Sequence, residues 1–111
     1  MSNQVMLREI ATARSGDKGN HANIGVVAKS ATAFAYLRRE LTAECVGSFF
    51  SQLGCDRVER FELPKIWALN FVLYNALGGG ASRSLRIDTQ GKLLGTAILK
   101  LTLPAETVDG D

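Results

Sequence analysis

The chain has 111 residues, enough for one ordinary domain and too few for a second hydrophobic core. With 46% hydrophobic and 22% charged residues it has the composition of a folded protein, and a formal net charge of +2 is too small to announce a polyanionic partner such as nucleic acid. Two cysteines, Cys45 and Cys55, and the single His21 do not make up a usual zinc ligand set. No Cys/His-held metal is expected, and thiols this sparse fit the reducing cytoplasm.

The N-terminus lacks the basic start and continuous apolar stretch of a secretory signal, so no export is expected. Val5 to Thr12 is rich in branched and apolar residues and reads as a strand. Ala22, Ile24, Val26 and Ala28 alternate with His21, Asn23, Gly25 and Val27 and read as a second strand. Between them Ser15-Gly16-Asp17-Lys18-Gly19-Asn20 is dense in turn formers, and a hairpin is expected there.

Phe34, Leu37 and Leu41 recur at helical spacing behind Ser30 and Thr32, either of which can cap a helix. Thr42 offers a second start for the stripe Val46, Phe49, Phe50 and Leu53, which stops at Gly54. Two helical segments, or one bent helix, are expected. Arg57 to Leu63 reads as a strand ended by Pro64, with a bulge near Glu59 and Arg60 because Val58 and Phe61 are out of phase.

Ile66, Leu69, Leu73 and Leu77 fall on one stripe of a helix, which Gly78-Gly79-Gly80 can terminate. This segment is far shorter than the roughly 20 apolar residues of a membrane span, and it contains Asn70 and Asn75. On that helix Asn70 faces inward, whereas Ala68, Phe71 and Val72 make a second apolar side for either a subunit interface or the domain's own loops. Ser84 to Ile87 alternates as a half-exposed strand, and Asp88-Thr89-Gln90-Gly91 is a turn. Leu93 to Leu101 suits either a helix or a strand, and the tail after Pro104 (105–111) is expected to be loose. Strands near both ends with helices between them imply an α+β fold, a ferredoxin-like sandwich whose antiparallel or mixed sheet carries helices on one face.

Chemistry concentrates in two glycine-bearing segments. Around Ser15 to Asn23, successive N–H groups beside glycines can form a concave anion site with Lys18 at its rim; the plain alternative is a tight hairpin bonded to itself. The spacing is not that of a Walker loop. Gly78-Gly79-Gly80-Ala81-Ser82-Arg83 carries a guanidinium able to grip a carboxylate or phosphate, or else a helix cap and a solvated Arg. An inward Asn70 needs partners, either a loop backbone or a ligand. His21 has no Ser or Cys nucleophile context beside it and reads as structural, and Arg38 and Arg39 belong on a solvated helix face.

Three segments carry a family resemblance: Ala13-Arg14-Ser15-Gly16-Asp17-Lys18-Gly19-Asn20 running into Ala22-Asn23-Ile24-Gly25-Val26, then Ala68 to Leu73, then Ala76 to Arg86. Together they resemble the AtuA-like domain of acyclic terpene utilisation proteins, over nearly the whole chain. The resemblance implies one ferredoxin-fold domain spanning residues 1–111 and a setting in bacterial catabolism of acyl-CoA thioesters, including branched isoprenoid ones. It also implies a larger AtuA-type partner. His21 departs from the pattern, where a small or acidic residue is expected.

The ligand-contacting positions expected from these motifs are Arg14, Ser15, Gly16, Asp17, Lys18, Gly19, Asn20, Asn23, Asn70, Gly78, Gly79, Gly80, Ser82 and Arg83, with no cofactor. The leading expectation is an accessory or binding subunit for a small anionic molecule, with association into a homo-oligomer and no membrane partner. The alternatives are an enzyme subunit completing an acyl-CoA hydratase or acyl-transfer site through Asp17, Lys18 or Asn70, and a purely structural oligomerisation domain.

Overall fold

The computed structural model describes residues 4–18, 21–51, 57–75 and 93–104, with backbone alone described at Asp17, Lys18 and Leu93. In chain order the elements are β1 (Gln4–Met6), α1 (Leu7–Ile10), β2 (Ala11–Lys18), β3 (His21–Ala28), α2 (Ala31–Glu40), α3 (Ala43–Phe49), β4 (Arg57–Leu63), a 3-10 turn (Pro64–Ile66), β5 (Ala68–Tyr74), α4 (Leu93–Ile98) and β6 (Thr102–Pro104). An antiparallel four-stranded sheet runs in the order β2-β3-β5-β4, and β1 pairs antiparallel with β6 in a second, two-stranded sheet.

Alternation in β3 survives intact: Ala22, Ile24, Val26 and Ala28 are sealed in the core, while His21, Asn23 and Gly25 are half-buried on the other face. The helices start where the caps stand. Ala33 N–H donates to Ser30 Oγ at 3.0 Å, and Cys45 N–H donates to Thr42 Oγ1 at 3.0 Å. From α2, Ala33, Phe34, Tyr36 and Leu37 join the core with Leu41, and Arg38 and Arg39 lie exposed. The Tyr36 hydroxyl donates to the carbonyl of Pro104, tying α2 to β6.

Three expectations change. The first strand is interrupted, because Leu7–Ile10 makes one helical turn whose free N–H groups find tertiary acceptors: Leu7 N–H donates to Leu101 O at 2.8 Å and Arg8 N–H to Leu99 O at 3.1 Å. No bulge occurs in β4; its register against β5 runs unbroken from Arg57↔Tyr74 to Leu63↔Ala68, with Phe61 left exposed.

Most consequentially, within the region read as a helix from Ile66 to Leu77, Ala68–Tyr74 is a strand, β5, at the centre of the sheet, Ile66 closes the preceding 3-10 turn, and 76–77 lie outside the described residues. Leu69, Phe71 and Leu73 are fully buried at period two, so Phe71 is core and not a second surface, and Ile66 is the most exposed large apolar residue among those described. The stretch 93–101 resolves as helix α4 followed by a turn, with strand character starting at Thr102. The segments 84–87 and 88–91 and the tail 105–111 lie outside the described residues.

α4 sits hard against β2. Gly95 N–H donates to Ser15 Oγ at 2.6 Å, and a Cβ at Gly95 would stand 2.9 Å from the backbone of both Arg14 and Ser15. Only glycine lets the two backbones approach this closely. The four-stranded sheet therefore has a covered face, lined from β3 and β5 by Ala22, Ile24, Val26, Leu69, Phe71 and Leu73, and an opposite face on which the same strands carry partly accessible side chains.

Candidate functional site

On the open face the strand registers place residues in rows across the sheet. Arg14 on β2 stands opposite Gly25 on β3, Gly25 opposite Asn70 on β5, and Asn70 opposite Phe61 on β4. The neighbouring row runs Gly16, Asn23, Val72, Glu59. Side chains directly opposite one another in an antiparallel sheet share a face, so Arg14 and Gly25 of the first family segment meet Asn70 of the Ala68–Leu73 segment here through pairing of β2, β3 and β5.

At the centre of the first row the sheet has a bare floor. A Cβ built on Gly25 would have Asn70 Oδ1 as its nearest neighbour, 3.8 Å away, and one built on Gly16 would meet nothing within 4 Å. The result is a notch between the exposed Arg14 and the half-buried amides of Asn23 and Asn70. Asn70 is thus not the inward-turned residue of a helix; it belongs to the open face, one step out of phase with buried Leu69 and Phe71. Among the described residues no side-chain nitrogen or oxygen is sealed away without a hydrogen-bond partner. The amide needs no internal partner in this position, since solvent or a ligand can reach it.

Beyond the notch, the end of the sheet holds a polar and aromatic cluster that the sequence did not single out. His21 and Tyr74 meet edge to face with ring centres 5.0 Å apart, and the Arg57 guanidinium lies 4.1 Å over the Tyr74 ring. The Tyr74 hydroxyl donates to Glu59 Oε1 at 2.6 Å. That bond stabilises the protonated phenol, and it is the main reason the Tyr74 pKa is raised above its ordinary value. Asn75, in a left-handed conformation at φ 61°, donates its N–H to His21 Nδ1 at 2.9 Å. An imidazole accepting at Nδ1 carries its proton at Nε2, so His21 braces the turn after β5.

The remaining expected positions divide as follows. Ser15 lies on the covered side and is engaged by Gly95, away from the notch. Asp17 and Lys18 belong to β2, paired with Ala22 and His21, so the expected loop is strand down to Lys18. Gly19, Asn20, Gly78, Gly79, Gly80, Ser82 and Arg83 lie outside the described residues. Cys45 is a free thiol whose pKa is pushed up by burial and then by the Glu40 carboxylate, which makes it a poor nucleophile near neutral pH.

Two surface hollows lie apart from the notch. One of about 360 Å³ is lined by α3 and β4 residues including Glu44, Gly47 and Arg57, and one of about 330 Å³ spans Glu62 to Ile66. Among the described residues no three of His, Cys, Asp and Glu are grouped so as to hold a metal ion, and no helix is long and apolar enough to cross a membrane.

Comparison with known proteins gave no match among curated proteins and none among solved structures. The family model of the AtuA ferredoxin-like domain, by contrast, matches residues 5–104, taking in every strand and helix described above except the first residue of β1. The chain accordingly belongs to the AtuA ferredoxin-like domain family.

Proposed function

We propose that the chain is a cytoplasmic accessory binding subunit that takes a small anionic molecule on the open face of its sheet, in acyl-CoA catabolism alongside a larger AtuA-type protein. The observation that carries the reading is the row Arg14, Gly25, Asn70: a cation and an amide flanking a floor without side chain. A guanidinium offers a fork of N–H donors to phosphate or carboxylate oxygens, and an Asn amide can donate to the same group while accepting from a hydroxyl or amide N–H. Phosphate and thioester-bearing CoA derivatives present that combination. The acyl-CoA class itself rests on the family resemblance.

A binding role is favoured over an enzymatic one by the state of the one imidazole near this face. His21 spends Nδ1 on the Asn75 N–H, and a general base needs a free lone pair within reach of a substrate proton.

A thermal-shift series with CoA, short and branched acyl-CoA thioesters and inorganic pyrophosphate tests the reading. A ligand that binds only the folded state, present at 100 times its Kd, stabilises by about 2.7 kcal/mol. The shift should disappear in Gly25→Val, which fills the notch, and shrink in Arg14→Ala. No shift with any of these anions, or a shift unchanged in Gly25→Val, defeats the proposal.

A further inference from the structure

We infer that the edge of β4 left unpaired among the described residues is a two-fold self-association site, at which two copies of the chain pair β4 with β4 antiparallel, centred on Phe61. β4 is the last strand of the sheet order, and among the described residues its one strand neighbour is β5. It presents seven residues in unbroken register, with its proline placed only after the strand end. Natural edge strands are blunted by bulges, internal proline, short length or charge; β4 has none of the first three, and its charges at Arg57, Glu59, Arg60 and Glu62 alternate in sign in a way that a second copy can complement. The outer side of an edge strand carries a row of N–H and C=O groups able to pair.

Among the described residues, four of the six exposed large apolar side chains lie in β4 or just after it, Val27 and Phe49 being the other two. Phe61 is 46% exposed and Leu63 45%, and Ile66 and Trp67 follow directly at 60% and 42%. The hollow spanning Glu62 to Ile66 lies in the same place. The edge is therefore mixed, apolar at Phe61 and Leu63 and charged at Arg57, Glu59, Arg60 and Glu62.

Charge selects the occupant and the register. An axis perpendicular to the sheet keeps each residue on its own face, so the strand pairs with a copy of itself about one central residue. Centring on Glu59, Arg60 or Glu62 sets like charges directly opposite each other, which disfavours those registers. Centring on Val58 leaves Phe61 and Leu63 beyond the core of the pairing. Centring on Phe61 puts Arg60 opposite Glu62 of the second copy, and Glu62 opposite Arg60 of the second copy.

Within one chain Arg60 already bonds Glu62 at 2.9 Å, and it is held in place by its bonds to the carbonyls of Arg38 and Leu41 at 2.8 and 2.9 Å. Four charges of alternating sign then form a square about the axis. On the open face the two Phe61 rings meet, each with Leu63 of the other copy on its diagonal. The row Arg14, Gly25, Asn70, Phe61 continues across the axis into its own mirror order, so both notches open on the same side of one eight-stranded sheet.

Sedimentation of the unmodified chain across a dilution series tests the assembly, independently of any ligand. A dimer is expected, and Phe61→Lys, at an exposed position that leaves the core untouched, should weaken it by about tenfold or more. Circular dichroism of that variant checks that the fold is kept. Register is tested by cysteine. Strand partners stand about 4.5–5.5 Å apart, within disulfide reach, so Phe61→Cys should form a covalent dimer under mild oxidation. Leu63→Cys should not, because its two copies are offset by four residues, roughly 13 Å along the strands. The unmodified chain, carrying Cys45 and Cys55, is the background control. A monomer at every concentration, a dimer indifferent to Phe61→Lys, or equal cross-linking at positions 61 and 63 overturns the inference.

Discussion

The two faces of the four-stranded sheet are built from alternate residues of the same strands, yet they do opposite work. On β5, Leu69, Phe71 and Leu73 are sealed to 0% exposure, while Asn70, Val72 and Tyr74 between them stay partly accessible. The covered face holds the free energy of folding, since each fully buried large side chain contributes about 1.5–3 kcal/mol. The open face holds the groups able to recognise something. A substitution moved by one residue should therefore change which property is lost.

The largest expected effect tests the covered face. Phe71→Ala should destabilise by about 3–5 kcal/mol in a denaturant titration, and Val72→Ala, its neighbour on the open face, by far less. Equal losses at the two positions would mean that the open face is covered too. Next comes the contact between α4 and β2. Gly95→Ala drives a methyl into backbone on the far side, where nothing can swing aside, and should cost about 1–3 kcal/mol.

On the open face the sign changes. Gly25→Ala meets only an ordinary contact with Asn70 and sits in a strand interior, where glycine is the weaker residue by roughly 0.5–1 kcal/mol. The variant should unfold at the same or a higher denaturant concentration while losing anion-induced thermal stabilisation, a split that no core substitution can give.

The smallest effect is spectroscopic. Tyr74 should ionise above the ordinary tyrosine range in an ultraviolet titration, and Glu59→Gln should bring it down; Tyr74→Phe assigns the transition against Tyr36. Because the folded-state pKa is the raised one, its contribution to stability is present in full below about pH 10 and is lost as the pH climbs through the raised value. A Tyr74 transition at the ordinary value would break the inferred bond to Glu59.

How much of this was legible in the sequence depended on whether one periodicity was unopposed. β3 alternates cleanly, and Ser30 and Thr42 stand at the first turns of α2 and α3, so these elements could be read directly. β5 could not be. Leu69 and Leu73 are four apart and satisfy both a helical stripe and a strand face. The residue that decides is Phe71, which the helical reading set on the far side and the strand reading places between them.

From that single ambiguity followed the misplacement of Asn70. An inward amide on a helix becomes an outward amide on a strand, and its meeting with Gly25 and Arg14 is a fact of register that no local pattern encodes. The turn at Leu7–Ile10 was hidden for a related reason, since its N–H groups are satisfied by carbonyls more than ninety residues later.

Pairing of β1 with β6 sets Gln4 directly against Pro104, and the Tyr36 hydroxyl fastens that same proline to the body of the domain. Entry and exit of the described fold are therefore a single doorway, about 5 Å wide. A unit with such a doorway can be spliced into a host polypeptide, or hung from one by a short tether, without stretching either chain or uncovering its interior.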